Sequence, residues 1–474
     1  MLEGLEIVEY NLLQLENEFT IGAEFYGQHY VDKVETIKIS HVPFQKLKDI
    51  TTQITDGDHG KTKYEESGVL YLLSESVKEG YIDLNVGTRY ISEELNTELK
   101  RSELHPGDIV LTKTGVYFGK SAVIPIEIAR ANTSAHVAKI TPVETVNSYF
   151  LSTFFNSAYG YSQLRRRGIK VSRPEIKLIE FQDILVSLPS NGFQSKIEET
   201  VIKGQEVLAK SNDTYTAAEN YLLQILSLSE FQPSINPINV KKHSESLGLS
   251  GRLDAEYYQI KYEQIVEQIK STNYNSLSDL VKIKKSIEPG SAHYTEEGLP
   301  FVRVSDYDKF GLSTPDKYLT DEFCNENAEL IKKLKPKKET ILFSKDGSVG
   351  TAYMLRKDAD FITSGAILHL SVKDKTKIIP EYLTLALNSK LVQMQAERDA
   401  GGSIILHWRV SEIENVVVPV IDYDKQIEIA ALVEESFKLK KQSEHLLEVA
   451  KTAVEIAIEQ DEETALEYIK TNSN

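Results

Sequence analysis

The chain has 474 residues, 41% hydrophobic and 26% charged, which is enough for two or three globular domains with separate cores. A formal net charge of −17 argues against a simple basic nucleic-acid-binding domain, and it also suits a subunit that docks on basic partners. The single cysteine, Cys324, excludes an internal disulfide and a thiolate metal cluster. Neither a secretory signal at the N-terminus nor a run of about 18 apolar residues is seen, so we expect a cytoplasmic protein.

The first half of the chain predicts a short amphipathic helix followed by a strand-rich domain. The helix extends to about Glu18, and a second helical stretch is expected around residues 148–159. Pro189 and the polar residues after it then end the domain and cap a longer helix. The β-type runs between the two helical stretches, broken by Gly, Pro and Asp, are 68–73, 81–84, 107–112 and 121–124.

The strongest helical pattern covers residues 194–227, and Pro233 and Pro237 mark its far end. Apolar or small residues alternate there by four and three positions, which is typical of a coiled-coil seam. A matching stripe returns 232 residues later and is weakened only by Lys440, which we expect at the edge of the seam or facing a partner subunit. Two unrelated amphipathic surface helices are the alternative to an antiparallel pair within the chain. The two stripes are Ile197, Val201, Gly204, Leu208, Ser211, Tyr215, Ala218, Leu222 and Ile225, and Ile429, Val433, Ser436, Lys440, Ser443, Leu447, Ala450, Val454 and Ala457.

Shorter motifs repeat with nearly the same offset, which predicts a duplicated domain, since solenoid repeats are only about 20–50 residues long. The expected fold class is therefore α+β, with two similar mixed α/β domains separated by a long antiparallel two-helix coiled coil and related by a pseudo-two-fold internal repeat. We expect a first domain at 1–190, a first long helix at 191–230, a linker at 231–250, a second domain at 251–420, and a second long helix with an acidic tail at 421–474. The repeated pairs include Ala23-Glu24-Phe25-Tyr26 with Ala255-Glu256-Tyr257-Tyr258, 112–115 with 344–347, Asn156-Ser157 with Asn388-Ser389, and Gln194 with Gln426.

The sequence contains no motif that convincingly predicts catalysis. Residues 115–121 resemble a phosphate-binding loop, but only three residues separate the glycines where four are needed, so a tight turn with Lys113 or Lys345 at its tip is preferred. The turn at 56–60, rich in Asp and Gly and containing His59, could supply a metal ligand, but such residues are more typical of a polar turn. No metal site is predicted.

Taken together, the paired motifs resemble the specificity (S) subunits of type I restriction–modification systems. The resemblance covers nearly the whole chain. It implies a non-catalytic subunit that binds double-stranded DNA, with each domain reading one half of a bipartite site and the helices docking methyltransferase (M) subunits, two of them. It also implies restriction/translocation (R) subunits in the complex, and S-adenosylmethionine as a cofactor of the methyltransferase and not of this chain. The residues that carry it are 22–26 with 252–258, 54–61 with Gly68, 106–115 with 341–350, and Leu188-Pro189 or Val418-Pro419 followed by Gln194 or Gln426.

Candidate DNA contacts follow from side-chain chemistry, because Arg and Lys suit guanine edges and phosphates while hydroxyls and amides suit other base edges. The basic cluster at Arg165, Arg166, Arg167 and Lys170 is included, and Arg166→Ala is expected to weaken binding at one half-site only. Trp408 follows two glycines that could form a mobile loop, although a core position is equally compatible with the sequence. Two other functions stay open, a duplicated-domain nuclease and a protein-interaction scaffold that does not bind DNA. The further candidates are His59, Lys61, Lys63, Lys113, Thr114, Tyr117 and Lys120 in the first domain, and Ser291, His293, Arg303, Lys345, Ser348, His407 and Arg409 in the second.

Overall fold

The computed structural model describes residues 23–168, 174–236, 238–401 and 405–473. The predicted N-terminal helix, Lys170 and Pro237 lie outside these ranges. The described residues form two compact units. The first contains the residues up to Ala209 together with those from Lys440 onward, and the second contains Lys210 to Leu439. Each of two long helices contributes to both units. The domain boundaries expected from the sequence stay a prediction.

The first unit is built on a four-stranded antiparallel sheet with the order β2-β8-β5-β6. A three-stranded sheet, β4-β3-β7, pairs β3 and β7 in parallel, and β1 pairs with β9. The elements are β1 Phe44–Lys46, β2 Thr51–Asp56, β3 Val69–Leu72, β4 Thr88–Ile91, β5 Ile109–Thr112, β6 Ser121–Val123, β7 Ala131–Thr133, β8 Val137–Pro142 and β9 Leu185–Ser187, with helices α1 Gln28–Ile39, α2 Glu93–Glu98, α3 Ser148–Asn156, α4 Ala158–Gly168, α5 Leu178–Phe181 and the first long helix, α6 Asn191–Ile225.

The second unit repeats this topology. Its main sheet has the order β11-β20-β17-β18, its smaller sheet pairs β13 and β19 in parallel, and β10 pairs with β21. The elements are α7 Leu247–Ser250, α8 Ile260–Lys270, β10 Tyr274–Ser276, α9 Leu277–Leu280, β11 Val281–Lys285, β12 Tyr294–Thr295, β13 Leu299–Val302, β14 Tyr307–Asp308, β15 Gly311–Leu312, β16 Tyr318–Leu319, α10 Asp321–Glu326, α11 Ala328–Leu334, β17 Ile341–Ser344, β18 Ala352–Met354, β19 Ile362–Thr363, β20 Ile367–Val372, α12 Pro380–Asn388, α13 Lys390–Asp399, α14 Val410–Ile413, β21 Val417–Pro419, the second long helix α15 Tyr423–Glu459, and α16 Glu462–Asn472. The α+β class and the internal repeat are confirmed.

Two local predictions in the first unit need correction. The run 81–84 is not a strand, since only Ile82 makes an isolated β-bridge, to Val77, and a turn follows in which the Asp83 carboxylate accepts a hydrogen bond from the Asn85 backbone N–H at 3.0 Å. The single helix expected over 148–159 is two helices that break at Ser157. Gly160 permits this close break, since a Cβ at that position would lie 2.1 Å from the Phe154 carbonyl oxygen.

Side-chain amides hold equivalent strands and helices together in both units. Asn156 bonds both backbone groups of Ser121 through its side chain, and Asn388 does the same to Ala352. A glutamine about two helical turns later in each unit acts in the same way. Gln163 clamps the backbone of Leu185 and Gln395 that of Val417, with all four hydrogen bonds between 2.8 and 2.9 Å. Because a buried amide without partners is costly, these pairs specify where each helix meets its strand.

Within each unit, the parts of the two long helices pack as antiparallel neighbours. In the second unit Ser211 and Ser436 are fully buried, and each hydroxyl donates to the other residue's carbonyl oxygen, at 2.7 and 2.9 Å. In the first unit a Cβ on Gly204 would lie 3.2 Å from Leu447. Small residues therefore allow the close approach that the stripe predicted. Lys440 keeps 22% of its side chain exposed and lies 3.9 Å from Glu444, at the edge of the seam as expected.

The acidic C-terminal segment is also helical. The second long helix ends at Glu459, and the Asp461 side chain then caps α16 by accepting from the Thr464 backbone N–H at 2.7 Å. Ala465 and Ile469 are fully buried in the core of the first unit. Across the described residues, no helix combines the length and the apolar character that spanning a membrane requires.

Candidate nucleic-acid interface

The first unit contains an open polar cavity of about 770 Å³, called here the first cleft. Four chain segments meet there: the loop after β2, the turn after β3, the turn between β5 and β6, and the turn between β7 and β8. Four of the residues that the sequence selected, His59, Lys61, Thr114 and Tyr117, line it together. The other lining residues are Asp58, Gly60, Thr62, Tyr64, Leu73, Ser74, Glu75, Gly115, Val116, Ser134, Ala135 and His136.

Local backbone geometry explains why these segments meet. Gly57 lies so close to the β7–β8 turn that a Cβ would stand 1.7 Å from the Thr133 carbonyl oxygen, so only glycine fits. The turn between β5 and β6 closes through the Thr112 hydroxyl, which donates to the Tyr117 carbonyl oxygen and accepts from the Lys120 backbone N–H at 3.0 Å. Gly115 supplies the positive φ of 79° that starts this turn.

A buried carboxylate contacts several basic side chains beside the first cleft, and one of them, His59, lines it. Asp56 is 3% exposed, and its oxygens lie 3.2 Å from Lys113 Nζ, 3.1 Å from His59 Nε2 and 3.4 Å from an Arg101 guanidinium nitrogen. Lys113 is itself buried, so its predicted place at the tip of the turn is wrong. Because cationic side chains already surround the Asp56 carboxylate, it serves charge compensation, and this donor set does not suit a divalent cation.

The walls of the first cleft carry hydrogen-bonding groups, and one of them, His136, was not singled out by the sequence. The Thr114 hydroxyl lies 2.8 Å from His136 Nδ1, which fixes the orientation of that exposed imidazole. Tyr117 is half-buried, and burial raises the pKa of its phenol, with a smaller contribution from the nearby charge of Glu75. The Tyr117 hydroxyl is therefore protonated at neutral pH, when it can donate as well as accept a hydrogen bond.

Two further candidates in the first unit lie away from the first cleft. Lys63 forms an ion pair with Glu65 at 3.1 Å. Lys120 lines a separate cavity of about 310 Å³ together with residues of the second long helix that belong to the same unit, including Glu448 and Lys451. Neither side chain shares the surface formed by His59 and the other cleft residues.

Two of the three arginines of the basic cluster, Arg166 and Arg167, have structural contacts, and Arg166 is buried. Arg166 is 4% exposed, its guanidinium lies 3.9 Å from the centre of the Phe25 ring, and its Nε donates to the Phe25 carbonyl oxygen at 2.5 Å. Arg167 donates to the carbonyl oxygens of Gln163 and Asp183. Burial raises the pKa of Tyr30, and the adjacent Arg165 opposes that rise. The prediction that Arg166 contacts DNA is wrong, because its side chain fastens the segment before α1.

In the second unit, the turn between β17 and β18 repeats the turn between β5 and β6. Ser344 replaces Thr112, and its hydroxyl donates to the Ser348 carbonyl oxygen. Lys345 pairs with the neighbouring Asp346, whose carboxylate also lies 2.9 Å from His407 Nδ1. Thus Lys345, Ser348 and His407 lie close together, and exposed Arg409 follows two residues after His407.

Trp408 is a core residue, one of the two positions that the sequence left open, so its selection as a DNA contact is wrong. Its side chain is 1% exposed, and its ring centre lies 5.7 Å from that of Phe343. The backbone explains this position, since the Trp408 backbone N–H donates to the Lys345 carbonyl oxygen at 2.7 Å. The first unit has the equivalent bond, from the Ile176 backbone N–H to the Lys113 carbonyl oxygen at 3.0 Å. Ile176 is also fully buried. Gly402, in the same segment, lies outside the described residues.

The other candidates of the second unit surround its smaller sheet. Ser291 and His293 form a turn before β12, and the His293 ring stacks 4.8 Å from the Phe323 ring. Arg303 pairs with Asp316 and lies 3.7 Å from Asp306. These three side chains thus belong to a different element from Lys345 and His407.

Comparison with known proteins gives one family and several relatives. Residues 270–449 match the family described as type I restriction modification DNA specificity domain. The type I restriction enzyme EcoBI specificity subunit of Escherichia coli is 26% identical over 155 residues, which cover 32% of this chain and 31% of the relative. The match therefore spans about a third of the length of that curated relative.

Two solved structures are similar over most of the chain. The type I restriction–modification system S subunit from M. genitalium is 12% identical and matches 89% of this chain and 96% of its own, with a TM-score of 0.39. The HsdS subunit from Thermoanaerobacter tengcongensis is 16% identical and matches 88% of this chain and 97% of its own, with a TM-score of 0.29.

Proposed function

Since residues 270–449 belong to the type I restriction modification DNA specificity domain family, we propose that the chain is the DNA specificity subunit of a type I restriction–modification complex. Each unit reads one half of a bipartite site in double-stranded DNA. The chain carries no catalytic site of its own. Methyltransferase subunits, two in number, hold S-adenosylmethionine and modify adenine, while restriction/translocation subunits cleave unmodified DNA.

The observation that carries this proposal is one scaffold that is present twice. A lysine lies at the equivalent position in each copy, and the side chains around it differ. Lys113 and Lys345 occupy the same place before the turn, as shown by their equivalent backbone bonds to His136 and Ala366, both 2.9 Å. The carboxylate that compensates the lysine comes from β2 in the first unit and from the turn itself in the second. Duplicated scaffolds with different reading surfaces suit a site whose two halves differ in sequence.

The first cleft has the chemistry of a base-reading surface. Lys61 supplies a positive charge for phosphate, whereas His59, Thr114, Tyr117 and His136 supply directional donors and acceptors. The cleft contains few apolar side chains, which distinguishes it from a typical small-molecule pocket. We place the first half-site there, and the second half-site at the turn formed by residues 344–351 and the segment 405–409.

The long helices have a second proposed task, which is to dock the methyltransferase subunits and to fix the spacing of the half-sites. They contain 35 and 37 residues. A straight helix of that length measures roughly 50 Å at about 1.5 Å per residue. One turn of B-DNA measures only about 34 Å, so helices of this size are long enough to set a spacing greater than one helical turn.

The test is a selection from a randomised duplex library by the full chain assembled with its methyltransferase partner. We expect a bipartite sequence with two specified halves and an unspecified spacer. Inserting about 5 bp into the spacer turns one half-site by roughly half a helical turn, so affinity should fall at least about tenfold. Equal binding at every spacer length would refute a bipartite site, and selection of no sequence at all would refute DNA specificity.

A second measurement separates this function from a nuclease. The chain alone, incubated with DNA and magnesium, is expected to leave the DNA intact, while the complete complex methylates or cleaves it. Cutting by the chain alone would instead support the duplicated-domain nuclease that the sequence left open.

A further inference from the structure

Two carboxylates line the first cleft, and only one of them has a structural task. Asp58 accepts hydrogen bonds from the Gly60 backbone N–H and from the Thr62 hydroxyl, both at 2.8 Å. These bonds shape the loop after β2. Glu75 is exposed and makes neither a hydrogen bond nor an ion pair with any residue that the structure describes. Its carboxylate is therefore available to a ligand in the cleft.

The backbone around Glu75 is fixed, so its side chain is presented at a defined place. The turn at Ser74–Ser76 is anchored by Ser76, which is fully buried and donates through its hydroxyl to the Val86 carbonyl oxygen at 2.9 Å. The Ser76 carbonyl in turn accepts from the Asp83 backbone N–H at 2.8 Å. Glu75 and Tyr117 both line the first cleft, and the charge of Glu75 contributes to raising the pKa of the Tyr117 phenol.

An unpaired carboxylate is unfavourable in a surface that binds the phosphate backbone, because it repels the phosphates. It becomes favourable if it accepts a hydrogen bond from a base. Bases offer such a donor in the exocyclic amino groups, and cytosine N4 in the major groove is the usual partner of Glu and Asp. The carboxylate therefore selects for a base with an amino group at that position. With any other base only its repulsion of the phosphates remains.

The second unit differs at the matched position. The turn at Val304–Asp306 follows β13 as the turn at Ser74–Ser76 follows β3. Ser305 occupies the place of Glu75, and its hydroxyl donates to Asp306 at 3.0 Å. The unpaired carboxylate is therefore a feature of the first unit, which limits its effect to one half-site.

We propose that Glu75 is a specificity-determining residue, which accepts a hydrogen bond from the exocyclic amino group of cytosine in the half-site bound by the first unit. This inference rests on the proposed function. Glu75 positions no other residue of the cleft by a hydrogen bond, so its effect is on base choice and not on the shape of the cleft.

The experiment compares the wild type, Glu75→Ala, Glu75→Gln and Glu127→Gln, each as the full chain assembled with its methyltransferase partner. Glu127 is an exposed carboxylate of the same unit that does not line the first cleft, so it controls for the loss of one negative charge. Each complex selects from a randomised duplex library, and affinity is then measured on the selected site and on single-base variants. Unfolding midpoints of all four proteins establish that they are equally folded.

For Glu75→Ala we expect the preference for one C·G pair in one half-site to fall by about fivefold or more, because a good base contact discriminates by at least that factor. Binding to unrelated sequences should become tighter. Glu75→Gln should move the preference at the same position toward adenine, whose N6 and N7 suit an amide. Glu127→Gln should leave every base preference unchanged.

Two results would overturn the inference. In the first, Glu75→Ala binds all sequences more tightly with no change in base preference, which makes Glu75 a repulsive charge only. In the second, base preference changes equally in both half-sites. Both outcomes leave the proposed function intact, whereas a wild-type complex that selects no sequence refutes the proposed function itself.

Discussion

At the scale of single residues, the two units compensate the charge of an equivalent lysine with different carboxylates. A lysine lies before the tight turn in each unit and needs a compensating charge. Lys113 is buried against Asp56 at the end of β2, two strands away from β5 in the sheet, whereas Lys345, with 21% of its side chain exposed, uses Asp346 beside it. Burial makes the first pair more sensitive to mutation, because an uncompensated buried charge is far more costly than an exposed one.

Asp56→Asn is therefore expected to lower the free energy of unfolding by about 3 kcal/mol, since it leaves the Lys113 ammonium buried without its counterion. Lys113→Met should cost less, about 1 kcal/mol, because Asp56 keeps His59 and Arg101. The double variant should be more stable than Asp56→Asn alone. Urea unfolding at pH 7 measures all three values.

Lys345→Met is the matched control for these variants, and its expected loss is below about 1 kcal/mol, as for a partly exposed pair. A loss as large as that of Asp56→Asn would show that exposure does not govern the two pairs. If the double variant were less stable than Asp56→Asn, the unpaired lysine could not be the cause of the loss.

Residue types also misled the sequence interpretation. Arg166 and Trp408 look like DNA contacts because arginine and exposed aromatic residues often are, yet both are buried. Their burial depends on partners distant in sequence, Phe25 for Arg166 and Phe343 for Trp408. Glu75 shows the reverse case, since only the structure shows that this acid lies among cleft residues and forms no ion pair with another described residue.

At the scale of elements, the long helices show how polar residues can hold a close helix contact. Ser211 and Ser436 are the smallest residues at their part of the seam and exchange hydrogen bonds through their hydroxyls. Burial removes the hydrogen bonds that these polar groups would make to water, and the two hydroxyl–carbonyl bonds replace them. The pair thus specifies the register of the two helices as well as their distance.

Ser211→Leu is expected to destabilise the second unit by about 2 kcal/mol or more, because the large side chain cannot fit between the backbones. Ser211→Ala keeps the close approach and loses only hydrogen bonds, so it should cost about 1 kcal/mol. Lys440→Leu, at the exposed edge of the seam, should change stability by less than about 0.5 kcal/mol.

Thermal and urea unfolding of the three variants provide the comparison. The order Ser211→Leu, Ser211→Ala, Lys440→Leu, from most to least destabilised, is the expected result. Equal stability of Ser211→Leu and Ser211→Ala would contradict a tightly packed seam at this position.

The sequence predicted elements best where periodicity or repetition was strong. The seam, the repeated domains and the paired residues Gln194 and Gln426 were found, because each pattern extends over many residues or occurs twice. The clamps by Gln163 and Gln395 were missed, although they lie 232 residues apart, since a single glutamine is an ordinary helix residue. The acid that pairs with Lys113 could not be found either, because Asp56 is on β2, and its approach to Lys113 depends on the order of the strands in the sheet.

At the scale of the whole molecule, the net charge of −17 opposes DNA binding unless basic groups are concentrated locally. Within the first cleft the only lysine that lines the cavity is Lys61, and the described structure leaves it exposed. Acidic side chains elsewhere repel the phosphates over a distance that salt shortens to about 8 Å at physiological ionic strength. Added salt therefore weakens the phosphate contacts and also relieves this repulsion, so we expect a modest overall salt dependence.

Lys61→Ala tests this balance directly. If Lys61 contacts one phosphate, its loss should weaken binding to every sequence alike and reduce the slope of log affinity against log salt by about 0.9. Lys63→Ala is the matched control, because Lys63 pairs with Glu65 and does not line the first cleft, and its slope should equal that of the wild type. The measurement is a salt titration of the assembled complex on the selected site and on an unrelated duplex. Were Lys61→Ala to change base preference while leaving the slope unchanged, Lys61 would contact a base edge, and the backbone contacts of this half-site would have to lie outside the first cleft.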